Sequence, residues 1–222
     1  MKISVIVPTL NEALALEESL TAVSLLNPHE IIVADGGSTD LTVPIAGRLA
    51  IRVVTSEVGR ARQMNAGAKE ATGDLLLFLH ADSRLSPESF SKMTEKMLSG
   101  EPAGGAFSLA IESEKISLKL ISTLASWRSK YLNLVYGDQA IFVRADMFRE
   151  LGGFAPLPIC EDLEFFRRLS RQGEVILLKE KAHTSARRWT TEGILFTTLR
   201  NIAIATLFLL GFPPQTLSKW YL

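Results

Sequence analysis

At 222 residues with 47% hydrophobic content, the chain is long enough to bury one sizeable core, so a single domain over residues 1–222 is expected. Its 24 Lys plus Arg balance 24 Asp plus Glu, which removes the electrostatic case for an extended polyanion such as nucleic acid as a partner. One cysteine, Cys160, excludes an internal disulfide framework and points to a reducing, cytoplasmic compartment.

The apolar run Ile3 to Val7 stops at Pro8, too short for the core of a signal peptide, and reads as a buried strand. A helix follows over Glu12 to Leu26, with Leu16, Leu20 and Val23 at helical spacing. Glu30 to Ala34, Ile51 to Thr55 and Asp74 to Leu79 read as further strands, separated by an alanine-rich helix over Arg60 to Ala71. The next helix, Pro87 to Leu98, has Ser86 as N-cap and Pro87 at its first position. Such alternation predicts a mostly parallel sheet covered on both faces, with ligands outside the carboxyl ends of the strands.

After Gly100 the expected elements are a strand over Gly104 to Ile111, a helix over Ile116 to Leu132, a strand over Gln139 to Val143 and a helix over Glu161 to Arg171. Residues 101–222 then complete the sheet begun by residues 1–100. Asn201 to Phe212 is apolar but shorter than the roughly 20 residues of a membrane span. A C-terminal apolar helix remains, suited to the core, a membrane surface or a second copy of the chain.

The strand tips carry the polar chemistry. Pro8-Thr9-Leu10-Asn11-Glu12 contains no glycine, which argues against a dinucleotide fingerprint, and no phosphate-binding G-x-x-x-x-G-K-[ST] loop occurs anywhere. In Asp35-Gly36-Gly37-Ser38-Thr39-Asp40 a carboxylate at a strand end can accept from a base N–H; the same residues also make an Asp-Gly turn capped by Ser38 or Asp40. Arg60 and Arg62 open a helix where the dipole disfavours cations, so an anion nearby accounts for Arg62. The fourth strand breaks into His80-Ala81-Asp82, where Asp82 can hold a hard divalent cation. From Arg167 to Arg200, eight Lys and Arg face three Glu, an excess that suits either a phosphate-bearing ligand or a solvated face.

In order and spacing, Ser4 to Glu12, Val33 to Asp40, Arg60 to Gly67 and Leu79 to Asp82 closely resemble the successive motifs of the family 2 glycosyltransferases. Tyr136-Gly137-Asp138-Gln139 and Cys160-Glu161-Asp162-Leu163-Glu164 fit the later motifs, and the chain is most similar to the short, soluble subgroup labelled selenodomain-associated transferases. The resemblance implies an α/β GT-A fold, with a central, mostly parallel mixed sheet flanked by helices, residues 1–100 forming the nucleotide-binding half and residues 101–222 the acceptor-binding half. It implies inverting transfer of a sugar from a nucleoside diphosphate sugar, UDP foremost, to a small or lipid hydroxyl, assisted by Mn²⁺ or Mg²⁺. Pro8, Thr9, Glu12 and Asp35 would line the base and ribose pocket, with Arg62 and His80 near the nucleotide. His80 stands where the family usually has the first carboxylate of D-x-D, while Asp82 keeps the metal-binding second one. Asp162 would be the general base, with Glu161 and Asp138 beside the acceptor. Arg187, Arg188 and Trp189 would close over the diphosphate, and His183 would complete the metal site. The expected location is cytoplasmic, peripheral at the membrane face. Two other readings use the same residues: a catalytically silent nucleotide-sugar binder, and a sugar nucleotidyltransferase. The latter wants a glycine-rich basic loop after the first strand, which Pro8 to Glu12 lacks.

Overall fold

The computed structural model describes residues 1–49 and 51–221. Strands β1 (Ile3–Thr9), β2 (Glu30–Asp35), β3 (Arg52–Thr55) and β4 (Leu75–Phe78) are joined through helices α1 (Ala13–Ser24), α2 (Thr42–Arg48) and α3 (Arg60–Glu70). All pairings among these four strands are parallel, with Thr9 opposite Asp35 and Ile6 opposite Phe78. Every residue of β1 is buried, as a central parallel strand covered on both faces requires. Asp40 satisfies two helix starts at once, its carboxylate accepting from the N–H of Ala13 at 3.1 Å and of Thr42 at 2.9 Å.

The remaining strands are β5 (Ser83–Leu85), β6 (Gly104–Glu112), β7 (Phe142–Arg144) and β8 (Val175–Ser185), interleaved with α4 (Pro87–Ser99), α5 (Ile116–Leu132), α6 (Ala145–Glu150) and α7 (Glu161–Gln172). One eight-stranded sheet results, in the order β3-β2-β1-β4-β7-β6-β8-β5. β7 runs antiparallel to β4 and β6, and β5 antiparallel to β8, so the sheet is mixed. The helices α8 (Arg187–Glu192), α9 (Ile194–Leu209) and α10 (Pro214–Ser218) follow the last strand.

The two faces of the sheet carry separate cores, sorted by the two-residue alternation of strand side chains. Val5, Val7, Leu75 and Leu77 pack against Leu16 and Leu20 of α1 and Met93 and Met97 of α4. Ile6, Leu76 and Phe78 pack on the other face against Met64, Phe148, Phe165 and Phe166. There Phe154 stands edge-on to Phe78 at 4.9 Å and lies 4.4 Å from Phe165, which roots α7 under the sheet's carboxyl edge.

One expected strand is displaced. Gly137–Gln139 forms a 3₁₀ turn, and the strand starts only at Phe142, because the buried Gln139 side chain accepts from Ser129 Oγ at 2.6 Å and donates to the Phe107 carbonyl at 2.9 Å. Strands β5 and β8 and the short helices α6, α8 and α10 were not anticipated by periodicity.

Candidate active site

A cavity of about 510 Å³ lies at the carboxyl ends of β1 and β4. Its sheet side is made by Pro8, Glu12, His80 and Asp82, and its far side by Asp138, Glu161 and Asp162. Arg187, Arg188 and Trp189 of α8 close a third side. Ten of the fourteen site residues expected from the sequence therefore meet in one place. The exceptions are Thr9, Asp35, Arg62 and His183.

The start of α7 aims two carboxylates inward. Cys160, with a left-handed φ of 63°, turns the chain into the helix, so that Glu161 and Asp162 face Gly137 and Arg60. Asp162 accepts the Gly137 N–H at 2.5 Å and the Leu163 N–H at 2.7 Å, a fixed orientation for a carboxylate at a helix N-terminus. Glu161 is buried, with Arg60 Nη1 at 3.7 Å from its Oε1. Burial first, and then the Asp162 charge, push its carboxyl up to about 7 despite the opposing Arg60. Burial likewise pushes Asp138 up to about 6, with Arg128 opposing and Asp162 and Asp82 adding. His80 is held well below its ordinary value by burial and by the charges of Arg60 and Arg188, so its imidazole is neutral.

Among the described residues several buried polar atoms around the cavity have no hydrogen-bond partner: His80 Nε2, Asp138 Oδ1, Glu161 Oε1, Trp189 Nε1 and Asn201 Oδ1. Buried groups of this kind are ordinarily hydrogen-bonded, so their convergence marks a place for a polar ligand. At the mouth, Arg187 reaches Glu12 at 3.1 Å, joining the tip of β1 to α8. Arg188 stacks over Tyr221 at 4.7 Å, and burial lowers its pKa.

Four of the expected residues lie outside this cavity. Asp35 is consumed by its own turn: its carboxylate accepts from Thr9 Oγ1, Ser38 Oγ and the N–H groups of Gly37 and Ser38, so neither it nor Thr9 faces the cavity. Arg62 is exposed and paired with Glu57 at 2.6 Å, whereas Arg60 enters the cavity. Residues two apart on a helix diverge by about 200°, so only one of the two arginines can face the site. His183 pairs with Arg84 across β5 and β8 and is absent from the cavity lining, although its neighbours Thr184 and Ser185 belong to it. Sequence reasoning also left Gln63, Tyr136, Asn201 and Tyr221 without roles, although all four line the site. Gln63 and Tyr136 lay inside quoted motifs, while Asn201 and Tyr221 belong to segments whose apolar neighbours masked them.

Among the described residues no three His, Cys, Asp or Glu side chains form a closed metal cage. Asp82 nevertheless presents its carboxylate to the cavity, bonded only weakly by Ser83 Oγ at 3.5 Å. That suits Mg²⁺ or Mn²⁺ shared with a ligand's phosphates, since such ions are commonly held by one or two carboxylates plus phosphate and water.

A dolichol-phosphate mannosyltransferase of Pyrococcus furiosus is 37% identical over 110 residues, which cover 45% of this chain and 31% of that one. Among solved structures, S. aureus TarS 1–349 in complex with UDP-GlcNAc matches with a TM-score of 0.66 at 18% identity, covering 83% of this chain and 58% of that one. The mannosyltransferase of Pyrobaculum calidifontis in complex with GDP-Man and Mn²⁺ also gives 0.66, at 23% identity over 82% of this chain and 56% of that one. The chain thus spans less than two thirds of the length of each of these relatives, and the two structural matches show the GT-A fold. With the model of "Glycosyl transferase family 2" matching residues 4–148, well over half of its length, the chain belongs to that family.

Proposed function

We propose that the chain is an inverting transferase that moves a sugar from a nucleoside diphosphate sugar, UDP foremost, to a hydroxyl acceptor. The observation that carries this is the convergence on one cavity of acceptor-type carboxylates at Asp138, Glu161 and Asp162, a cation-type carboxylate at Asp82 and the guanidiniums of Arg60, Arg187 and Arg188. The relatives in complex with UDP-GlcNAc and with GDP-Man and Mn²⁺ support the donor class.

In this reading Asp162 removes the acceptor proton as the acceptor oxygen bonds to the anomeric carbon, and the bond from that carbon to the diphosphate breaks on the opposite side. Two backbone N–H groups orient the Asp162 carboxylate for that task. Glu161 and Asp138, both raised toward neutrality, are the groups that can donate to sugar or acceptor oxygens. Arg187 and Arg188 neutralise the departing diphosphate, Arg187 exchanging Glu12 for a phosphate oxygen. A divalent cation on Asp82 would supply further charge stabilisation to the same leaving group. Asp35 and Thr9 act at one remove, holding the Gly36-Gly37 turn in shape beside the base.

The test is a calorimetric titration with UDP, GDP and dTDP sugars, with and without Mn²⁺, followed by measurement of released nucleoside diphosphate in the presence of candidate acceptors. Metal-enhanced binding of one donor and its turnover are expected. Binding of none overturns the donor assignment, and binding without release under any acceptor condition leaves a silent binder.

A further inference from the structure

Helix α5 is amphipathic in the wrong sense for a solvated helix. Its inward face is built of small residues, with Ser122 and Ser126 accepting the backbone N–H groups of Ile111 and Leu109 on β6 at 3.0 and 3.1 Å. Its outward face carries Ile116, Leu120, Leu124, Trp127 and Tyr131, an unbroken stripe at helical spacing in which every member is more than half exposed. Helix α9 packs against α5 and repeats the pattern with Leu195, Leu199 and Ile202, continued past its end by Leu210 and Phe212. Scattered exposed apolar residues need no explanation, but two adjacent helices with aligned stripes do.

Charge identifies the occupant. The whole chain balances its charges, yet Ile116–Leu132 and residues 193–222 contain no Asp or Glu at all, while Lys119, Lys130 and Lys219 are exposed there. Trp127, Tyr131 and Trp220, rings with polar edges, are exposed among them. Among the described residues no helix is long and apolar enough to cross a membrane, so on a bilayer this face would lie along the surface. The flanking acids Glu114 and Glu192 are already paired, with Lys119 at 3.0 Å and Arg200 at 2.5 Å, so a two-fold contact with a second copy would bring Lys130 and Lys219 together without a free acid from either helix, which disfavours self-association.

We infer that α5 and α9, with the Lys219-Trp220 segment, form a surface that seats the protein on an anionic lipid bilayer. The inner side of α9 supplies Asn201, Ile204 and Ala205 to the cavity, so the lipid would lie about one helix diameter, ~10 Å, from the site. Where this is joined to the proposed transfer, on which this extension alone rests, the acceptor hydroxyl belongs to a lipid headgroup.

The experiment is flotation of the full chain with vesicles of phosphatidylcholine plus phosphatidylglycerol, against phosphatidylcholine alone, with brominated acyl chains to quench tryptophan. Expected are flotation with the anionic vesicles, loss of it at high salt and quenching of exposed Trp127 and Trp220, while Trp189, which is buried, stays bright. The double variant Leu124→Ser/Leu199→Ser and, separately, Lys130→Glu should each weaken vesicle binding roughly tenfold. Nucleotide binding by the same variants, measured calorimetrically, verifies that they fold and is independent of the seat. Absence of flotation, flotation untouched by both variants, or a dimer in sedimentation that the double variant dissolves would overturn the inference. Failure of transfer with intact flotation would count against the proposed function alone.

Discussion

Glu161 and Asp162 are adjacent, but their surroundings divide them. Asp162 is held by two backbone N–H groups, one on each oxygen, so its amide isostere keeps the size of the side chain, removes the acceptor charge and gives up one of the two bonds. Asp162→Asn is expected to leave donor affinity within about threefold and to lower transfer by roughly 10²–10⁴-fold. Equal loss of binding and transfer in calorimetry and product assay would make it a structural residue. Glu161 has a folded-state value of about 7 against an ordinary 4.5, so the protonated form is favoured by folding. Its contribution to stability is complete below 4.5 and declines as pH rises through about 7. Glutamine does not titrate. Thermal melts of Glu161→Gln should therefore run a few degrees above the unsubstituted protein near pH ~8 and converge with it near pH ~4; the opposite order would show that Arg60 outweighs burial.

Among the elements, β6 is the most constrained. Its neighbours β7 and β8 approach so closely that a Cβ on Gly104 would overlap the Phe142 carbonyl oxygen, and one on Gly105 the Ile176 carbonyl oxygen. Gly105→Ala should cost about 2–4 kcal/mol in denaturant melts, a large effect for one methyl group, and a neutral result would mean the two strands can separate without penalty. The same level separates what could be read in the sequence from what could not. β1 to β4 are short apolar runs between helical patterns, and their ends fall within two residues of expectation, because full burial leaves few alternatives. β8 was invisible because Lys179, Glu180 and Lys181 interrupt it, and β5 because three residues carry no period. At the site, Asp82 was legible as a polar break after an apolar strand, and Asp162 only through the resemblance of its motif. The choice between Arg60 and Arg62 depends on the rotational phase of α3, which a motif does not encode.

For the molecule as a whole, nucleotide, metal and stability are linked. A ligand that binds only the folded state at a hundred times its Kd adds about 2.7 kcal/mol. The donor diphosphate with Mn²⁺ should therefore raise the melting temperature by several degrees, and chelation should return it to the value with nucleotide alone. In Asp82→Ala the Mn²⁺ increment is expected to vanish while a smaller nucleotide increment survives, and an undiminished increment would move the cation elsewhere. The position of Asp82 itself has a consequence for the order of folding. The segment that follows it, Ser83–Leu85, pairs only with β8, opposite residues about a hundred positions later, and the Asp82 carbonyl accepts the Ser185 N–H at 3.2 Å. Local pairings form early and distant ones late, so the four parallel strands can assemble while the tip that carries Asp82 is still unanchored. Pulse-labelled hydrogen exchange during refolding should find the amides of Ser83 to Leu85 protected last, together with those of Ala182 to Ser185. The chain would thus acquire its fold before its capacity to hold a metal, and a half-made molecule would have no means of consuming donor.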